Sequence, residues 1–113
     1  MRAAIIAFPK SRTNKSLQHL YRTFNRAYFA NRLDDGVAVR FAKSSRVSWL
    51  GCYVGEFEVI YLNPILKKSW RMTCMVLLHE MCHVAIPGQH NHGPKFQKAM
   101  HALANCGAFE SVW

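Results

Sequence analysis

The stretch Ser69-Trp-Arg-Met-Thr-Cys-Met-Val-Leu-Leu-His-Glu-Met-Cys-His-Val-Ala-Ile86 decides the fold of this 113-residue chain. Its apolar residues occur nearly all round the circumference of a helix, which is typical of a buried helix and not of a surface helix. Pro87-Gly88 follows and ends the pattern. We therefore predict a buried helix over residues 69–86, which the rest of the chain must cover.

Three residues of this helix carry its chemistry: His79, Glu80 and His83. At about 100° per residue, His79 and His83 lie about 40° apart on one face, where two imidazoles can bind one tetrahedral metal ion. Glu80 is turned about 100° from His79, so it can border the metal without binding it. There its carboxylate can act as a general base that takes a proton from a metal-bound water and returns it to a leaving amine. Burying these groups without partners would be costly, which favours a metal site over satisfied core residues.

A third ligand has to come from outside the helix, and the segment that follows offers His90 and His92. We prefer His92, because it lies next to the helix start expected at Pro94. His90 is the reserve ligand, or a substrate or oxyanion contact. A set of three imidazoles with an open fourth position predicts catalytic Zn²⁺.

Upstream, apolar residues recur at helical spacing over residues 13–33, and Asp34-Asp35-Gly36 ends that helix. Alternating apolar residues then predict three strands, over residues 37–41, 47–53 and 57–61. Gly55 indicates a tight hairpin between the second and third strands. Since the connections are short, we expect a three-stranded antiparallel meander.

A last helix is predicted from Pro94 to a residue before Gly107. The order of elements is α-β-β-β-α-α, which predicts an α+β fold with an N-terminal helix, an antiparallel sheet, the buried helix and a C-terminal helix. We expect a single domain over residues 1–113, with residues 1–12 as a basic lead-in.

The composition limits the classes of protein to consider. Fifteen Lys and Arg face six Asp and Glu, giving a net charge of +9, which favours a polyanionic partner such as nucleic acid. No apolar run approaches the ~20 residues of a membrane span, and the apolar start is shorter than the ~7–15 residues of a signal-peptide core. An intracellular protein with reduced thiols is expected. The four cysteines form no Cys-x-x-Cys pair, which argues against a zinc ribbon.

Over about residues 16–107 the chain resembles the SprT-like (Spartan) zinc metalloproteases. The most specific match is His79-Glu-Met-Cys-His83, the HExxH pattern, together with His92-Gly-Pro-Lys-Phe96. Three further segments resemble the end of the family's first helix, its glycine-containing second strand, and the strand and turn before its active helix: Tyr28-Phe-Ala-Asn-Arg-Leu33, Ser48-Trp-Leu-Gly-Cys-Tyr53 and Ile60-Tyr-Leu-Asn-Pro-Ile-Leu66.

The resemblance implies a zincin-like fold with zinc on His79, His83 and His92, and with Glu80 as the general base. It also implies a peptidase that acts on proteins bound or crosslinked to DNA, as in DNA repair, and that DNA stimulates. Family members often carry a zinc ribbon after the protease domain. This sequence shows no such cysteine pair, so a minimal protease core is expected.

If DNA binds, the basic residues of the core must contact it. The candidates are Lys10, Arg12, Lys15, Arg40, Lys43, Arg46, Lys67, Lys68, Arg71, Lys95 and Lys98. Each phosphate contact would add a salt-dependent affinity that does not depend on sequence. A basic surface can equally serve solubility alone. Trp49, Tyr53 and Trp70 could stack on unpaired bases of single-stranded DNA, although aromatic residues in so small a domain are more often core.

These observations predict a monomeric zinc-dependent metalloendopeptidase in which Glu80 activates a zinc-bound water. The alternative is a DNA-binding or adaptor module with structural zinc and vestigial peptidase activity. An extended substrate is expected to pair with a sheet edge, from either residues 46–54 or residues 56–62. For the oxyanion, His90, Tyr53 and Tyr61 are the candidate contacts.

Overall fold

The computed structural model describes residues 12–86, 92–105 and 107–108. It has the predicted α+β architecture, with three helices and one three-stranded sheet. The elements are α1 (Asn14–Tyr28), β1 (Ala38–Phe41), β2 (Gly51–Val54), β3 (Val59–Leu62), α2 (Trp70–Ala85) and α3 (Pro94–Asn105). Two short 3₁₀ turns, Gly55–Phe57 and Pro64–Lys68, flank β3. Most of the predicted basic lead-in lies outside the described residues.

Helix α1 begins where its sequence allows a cap, since the Thr13 hydroxyl accepts a hydrogen bond from the Ser16 amide at 3.2 Å. Of the five residues of the predicted apolar stripe, Leu17, Leu20, Tyr21 and Phe24 are buried, whereas Tyr28 is half-buried. The helix ends at Tyr28, earlier than expected. The reason is that the Asn25 side chain holds the following segment in a turn, which competes with continuation of the helix. It donates to the Leu33 carbonyl at 3.0 Å and accepts from the Leu33 amide at 3.1 Å.

The strand order differs from the predicted antiparallel meander, and that prediction is wrong. The order in space is β1-β3-β2, with β3 parallel to β1 and antiparallel to β2. The hairpin expected around Gly55 does join β2 to β3, through the turn Gly55–Phe57 and a left-handed Glu58. The meander prediction assumed that β1 pairs with its sequence neighbour. Instead, residues 42–50 carry the chain past the end of β3, which inserts between the other two strands.

This connection is held by one buried side chain, that of Asn63. Its amide nitrogen donates to the carbonyl oxygens of Ser45 and Trp49, at 3.3 and 3.1 Å. Its side-chain oxygen accepts from the Ile65 amide at 3.0 Å and so caps the 3₁₀ turn before α2. Asn63 therefore satisfies backbone groups of the connection and aligns the end of β3 with the start of the next turn.

Helix α2 packs against β2, β3, α1 and α3, and so lies at the centre of the fold. As predicted, much of its surface is buried: Thr73, Cys74, Leu77, Leu78, Glu80, Met81 and Cys82. One side remains open, where Met72 is exposed and Met75 and Val76 are half-buried. Within the described residues, no helix combines the length and apolarity that crossing a membrane requires.

Candidate metal centre

The three predicted ligands reach one place from two helices. His79 and His83 lie one turn apart in α2, whereas His92 lies two residues before the start of α3. The His92 backbone is fixed by α3 itself, since the Gln97 side chain donates to the His92 carbonyl at 2.9 Å. The reserve ligand, His90, lies outside the described residues.

The ring nitrogens are close enough to share an ion. One nitrogen from each of His79, His83 and His92 lies within 4.8 Å of the other two, and His79 Nε2 is 3.0 Å from His92 Nε2. In a tetrahedral zinc site, with metal–nitrogen bonds of about 2.0–2.1 Å, two ligand nitrogens lie roughly 3.4 Å apart. The donor set and its spacing therefore fit a metal ion.

All three imidazoles rest against one buried ring, Phe96 of α3. The centroid distances from Phe96 are 4.5 Å to His83, 4.7 Å to His92 and 4.9 Å to His79. Phe96 is only 4% exposed. In the sequence analysis, Phe96 was named only as the end of the matched motif, and its contact with the imidazoles was missed. Its spacing of four residues from His92, across a helix start, is the signal that could have indicated it.

Burial prepares His79 to bind a cation. Burial, together with the neighbouring His83 and His92, lowers the pKa of His79 to about 4. The imidazole is therefore neutral at physiological pH. A neutral imidazole is the form that binds metal, so no proton has to leave His79 first.

Glu80 lies beside the imidazoles and is nearly buried, at 6% exposure. Its Oε2 is 3.8 Å from His79 Nε2. Burial raises the pKa of Glu80 to about 7, while a hydrogen bond from the Tyr53 backbone opposes the rise. A carboxyl group that titrates near neutrality can both accept and return a proton, as general acid–base catalysis requires.

Strand β2 approaches Glu80 so closely that only glycine fits at Gly51. A β-carbon there would lie 2.7 Å from Val76 Cγ1 and 3.0 Å from Glu80 Cγ. The sequence placed this glycine in the matched second strand without showing what it contacts. A glycine inside a strand is often a sign of close approach, so a signal was present.

Of the two segments considered for pairing with a substrate, the structure makes β2 an edge strand and β3 the central one. The Asn63 amide donates to the Leu50 carbonyl at 2.8 Å, so residues 50 and 63 form a hydrogen-bonded pair. Because such pairs alternate in an antiparallel ladder, Gly51 and Tyr53 point their backbone groups away from β3. The Tyr53 amide reaches Glu80, and the Gly51 groups face the same edge.

Tyr53 and Tyr61 are the other two residues that the sequence suggested as contacts of the oxyanion. Tyr53 lies in the strand that contacts Glu80, and Tyr61 lies in the central strand. Both side chains are half-buried. An oxyanion role for either tyrosine stays a prediction.

The sequence model of the SprT-like family matches residues 17–111, nearly the whole chain, and the chain therefore belongs to that family. No curated protein and no solved structure matches it. The membership confirms the resemblance seen in the His79–His83 and His92–Phe96 motifs.

Removing a residue that only hydrogen-bonds to a metal ligand typically weakens metal binding by about 10- to 100-fold. Because His92 is itself a predicted ligand, we expect His92→Ala to weaken zinc binding by more than that. Equilibrium dialysis against Zn²⁺ with metal analysis would measure it. The matched control is His101→Ala, on the exposed face of α3, which should bind zinc as the unchanged protein does. Full zinc stoichiometry and affinity in His92→Ala would contradict the ligand assignment and transfer the role to His90 or another residue.

We expect Gly51→Ala to lower the free energy of unfolding by about 1–3 kcal/mol, because the added methyl overlaps Val76 and Glu80. Urea denaturation would measure this change. Gly55→Ala is the matched control, since a β-carbon there meets Tyr53 ring atoms at 3.8–3.9 Å, an ordinary contact. Equal stability of the two variants would show that β2 does not pack as tightly on α2 as described.

Proposed function

We propose that this member of the SprT-like family is a zinc-dependent metalloendopeptidase with Glu80 as its general base. One observation carries the proposal: three imidazole nitrogens lie within 4.8 Å of one another, beside a buried carboxyl group 3.8 Å from His79 Nε2. Three imidazoles suit zinc better than the oxygen-preferring cations such as Mg²⁺ or Ca²⁺. When bound, zinc polarises a peptide carbonyl and lowers the pKa of water.

The side chains around the metal then supply the proton transfers. The Glu80 carboxylate takes a proton from the attacking water and delivers it to the amine nitrogen of the leaving peptide. The Tyr53 amide holds this carboxyl group in place, and burial raises the pKa of Glu80 to about 7. Phe96 fixes the ring planes of the three histidines, so that little reorganisation is needed when the ion binds.

The alternative, a module with structural zinc, is less well supported by this geometry. Structural zinc sites usually close with four protein ligands, whereas the group found in the described residues has three. The nearby Cys82 does not offer a fourth, because its thiol contacts the Met100 sulfur at 3.4 Å in the core. A buried carboxyl group beside the imidazoles is a feature that a structural site does not need.

We expect Glu80→Gln to lower kcat/KM for protein hydrolysis by about 10²- to 10⁴-fold, because the amide cannot accept the proton. Zinc content and the unfolding transition should be unchanged. A fluorescently quenched casein digest with zinc-loaded protein would measure the loss. Glu56→Gln, exposed in the turn after β2, is the control and should digest casein normally. Unchanged turnover in Glu80→Gln would refute the assignment of the base.

We also propose that DNA binds to a basic patch formed by Arg12, Lys15, Lys43, Lys67 and Lys68. Three segments meet there: Arg12 donates to the Lys67 carbonyl, and the Lys67 ammonium lies 4.9 Å from the Phe41 ring centroid. The Phe41 amide in turn donates to the Asn14 side chain at 2.8 Å. The four lysines are exposed, which suits contact with phosphates. Proteins held on DNA are then the proposed substrates, in keeping with the family resemblance.

Base stacking has weaker support than phosphate contact. Trp49, Tyr53 and Trp70 are all half-buried. The Arg12 guanidinium lies over the Trp70 ring, 5.3 Å from its centroid, and so covers part of that ring. Trp70 therefore serves the packing of the patch, and phosphate contacts would dominate DNA affinity.

We expect the double variant Lys67→Gln/Lys68→Gln to weaken DNA binding. The loss of two phosphate contacts should also make the negative slope of log K against log salt shallower by about 1.4–1.8. Mobility-shift titrations across salt, with single- and double-stranded DNA, would measure both quantities. Arg22→Gln/Arg26→Gln removes the same charge from the exposed side of α1 and is the matched control. Equal loss in both double variants, or no binding at low salt, would contradict a defined patch.

A further inference from the structure

An open groove adjoins the candidate metal centre on the side of α2 where Met72 is exposed. Its volume is about 420 Å³, within the about 300–1,000 Å³ that is typical of ligand sites. Its apolar lining comes from α2, α3 and the residue before β2: Leu50, Met72, Met75, Val76 and Met100. His79 and Glu80 also line it, so the groove adjoins the proposed reaction centre.

The rim of the groove carries exposed apolar side chains. Leu50 is 47% exposed and Met72 is 40% exposed. Exposed apolar side chains clustered around a concavity mark a binding surface. Methionine is unbranched and flexible, so three methionines can adapt to apolar groups of different shape. The described lining contains no lysine or arginine that would bind a phosphate.

The backbone beside the groove can hold an extended peptide. Gly51, which also lines the groove, belongs to edge strand β2 and points its backbone groups outward. A peptide paired with this edge passes Glu80, and its side chains point alternately to the two faces of the sheet. Side chains on the α2 face enter the groove, whereas those on the other face do not.

We infer that this groove is a specificity pocket that takes one large apolar side chain of a polypeptide substrate, on a residue directly next to the cleaved bond. The inference rests on the proposed peptidase function. A polypeptide is the expected occupant, because both the proposed catalytic carboxyl group of Glu80 and Gly51 of the β2 edge line the groove. The substrates are then segments in which an extended backbone exposes leucine, phenylalanine or a similar residue, as unfolded chains do.

The test uses Gly- and Ser-rich host peptides that carry one variable residue: Gly, Ala, Leu, Phe, Glu or Lys. With zinc-loaded protein, mass spectrometry should map cleavage directly next to Leu or Phe. The value of kcat/KM should exceed that of the Gly and Ala peptides by about 10- to 100-fold. Similar kcat/KM values for all six peptides, or cleavage at bonds away from the variable residue, would overturn the assignment of the groove as a specificity pocket.

The variant Met72→Lys should lower kcat/KM for the Leu and Phe peptides by about tenfold or more and raise it for the Glu peptide. Ile65→Lys is the matched control, since Ile65 is 48% exposed and lies outside the groove lining. It should keep the unchanged preference. Leu50→Ala is a second variant, which adds no charge. It should reduce the difference in kcat/KM between the Leu and Ala peptides. Equal profiles for Met72→Lys and Ile65→Lys would overturn the assignment.

A binding measurement separates failure of the pocket from failure of the enzyme. Fluorescence anisotropy with zinc-loaded Glu80→Gln should show tighter binding of the Leu and Phe peptides than of the Gly peptide, and Met72→Lys in that background should abolish the difference. If no peptide is cleaved but this binding order holds, the peptidase proposal fails and the groove stands as an apolar peptide site. If peptides are cleaved and the binding order is absent, the peptidase stands and the pocket fails.

Discussion

The packing of three imidazoles around the Phe96 ring is the contact on which the rest of the site depends. His79 and His83 are already neighbours, because they lie one turn apart in α2. His92 comes from a different part of the chain and is held there because α3 docks its buried ring against both α2 histidines. The contact with Phe96 therefore brings imidazoles from two parts of the chain to one place, where they can share an ion.

The contact between α2 and β2 sets the properties of the carboxyl group. Gly51 lets the strand come close enough for Glu80 to be enclosed and for the Tyr53 amide to reach it. Enclosure raises the pKa of Glu80, and the amide hydrogen bond limits that rise. The two opposing effects leave a group that titrates near neutral pH, the range in which proton transfer in both directions is easiest.

The strand order decides which backbone faces the site. In the antiparallel meander predicted from the sequence, β2 would be the central strand, with both sides paired. In the observed order, β3 is central and β2 is an edge strand that packs on α2. The hydrogen bonds of Asn63 with Ser45, Trp49 and Leu50 hold the connection that makes this order possible. Asn63 thus helps to place β2 at the edge of the sheet, where the proposed substrate backbone would pair.

The sequence by itself determined the three helices, the α+β class, the family and the residues of the candidate site. The helices and the class follow from local periodicity and helix-end signals, and the spacing of His79, Glu80 and His83 within one helix marks the site. The family was indicated by the resemblance of the His79–His83 and His92–Phe96 motifs. Only the tertiary structure decided the strand order, the role of Phe96, the close approach of β2 to Glu80 and the open groove beside Met72. Each of these depends on contacts between residues far apart in the chain, and two-residue alternation looks the same in a central strand and in an edge strand.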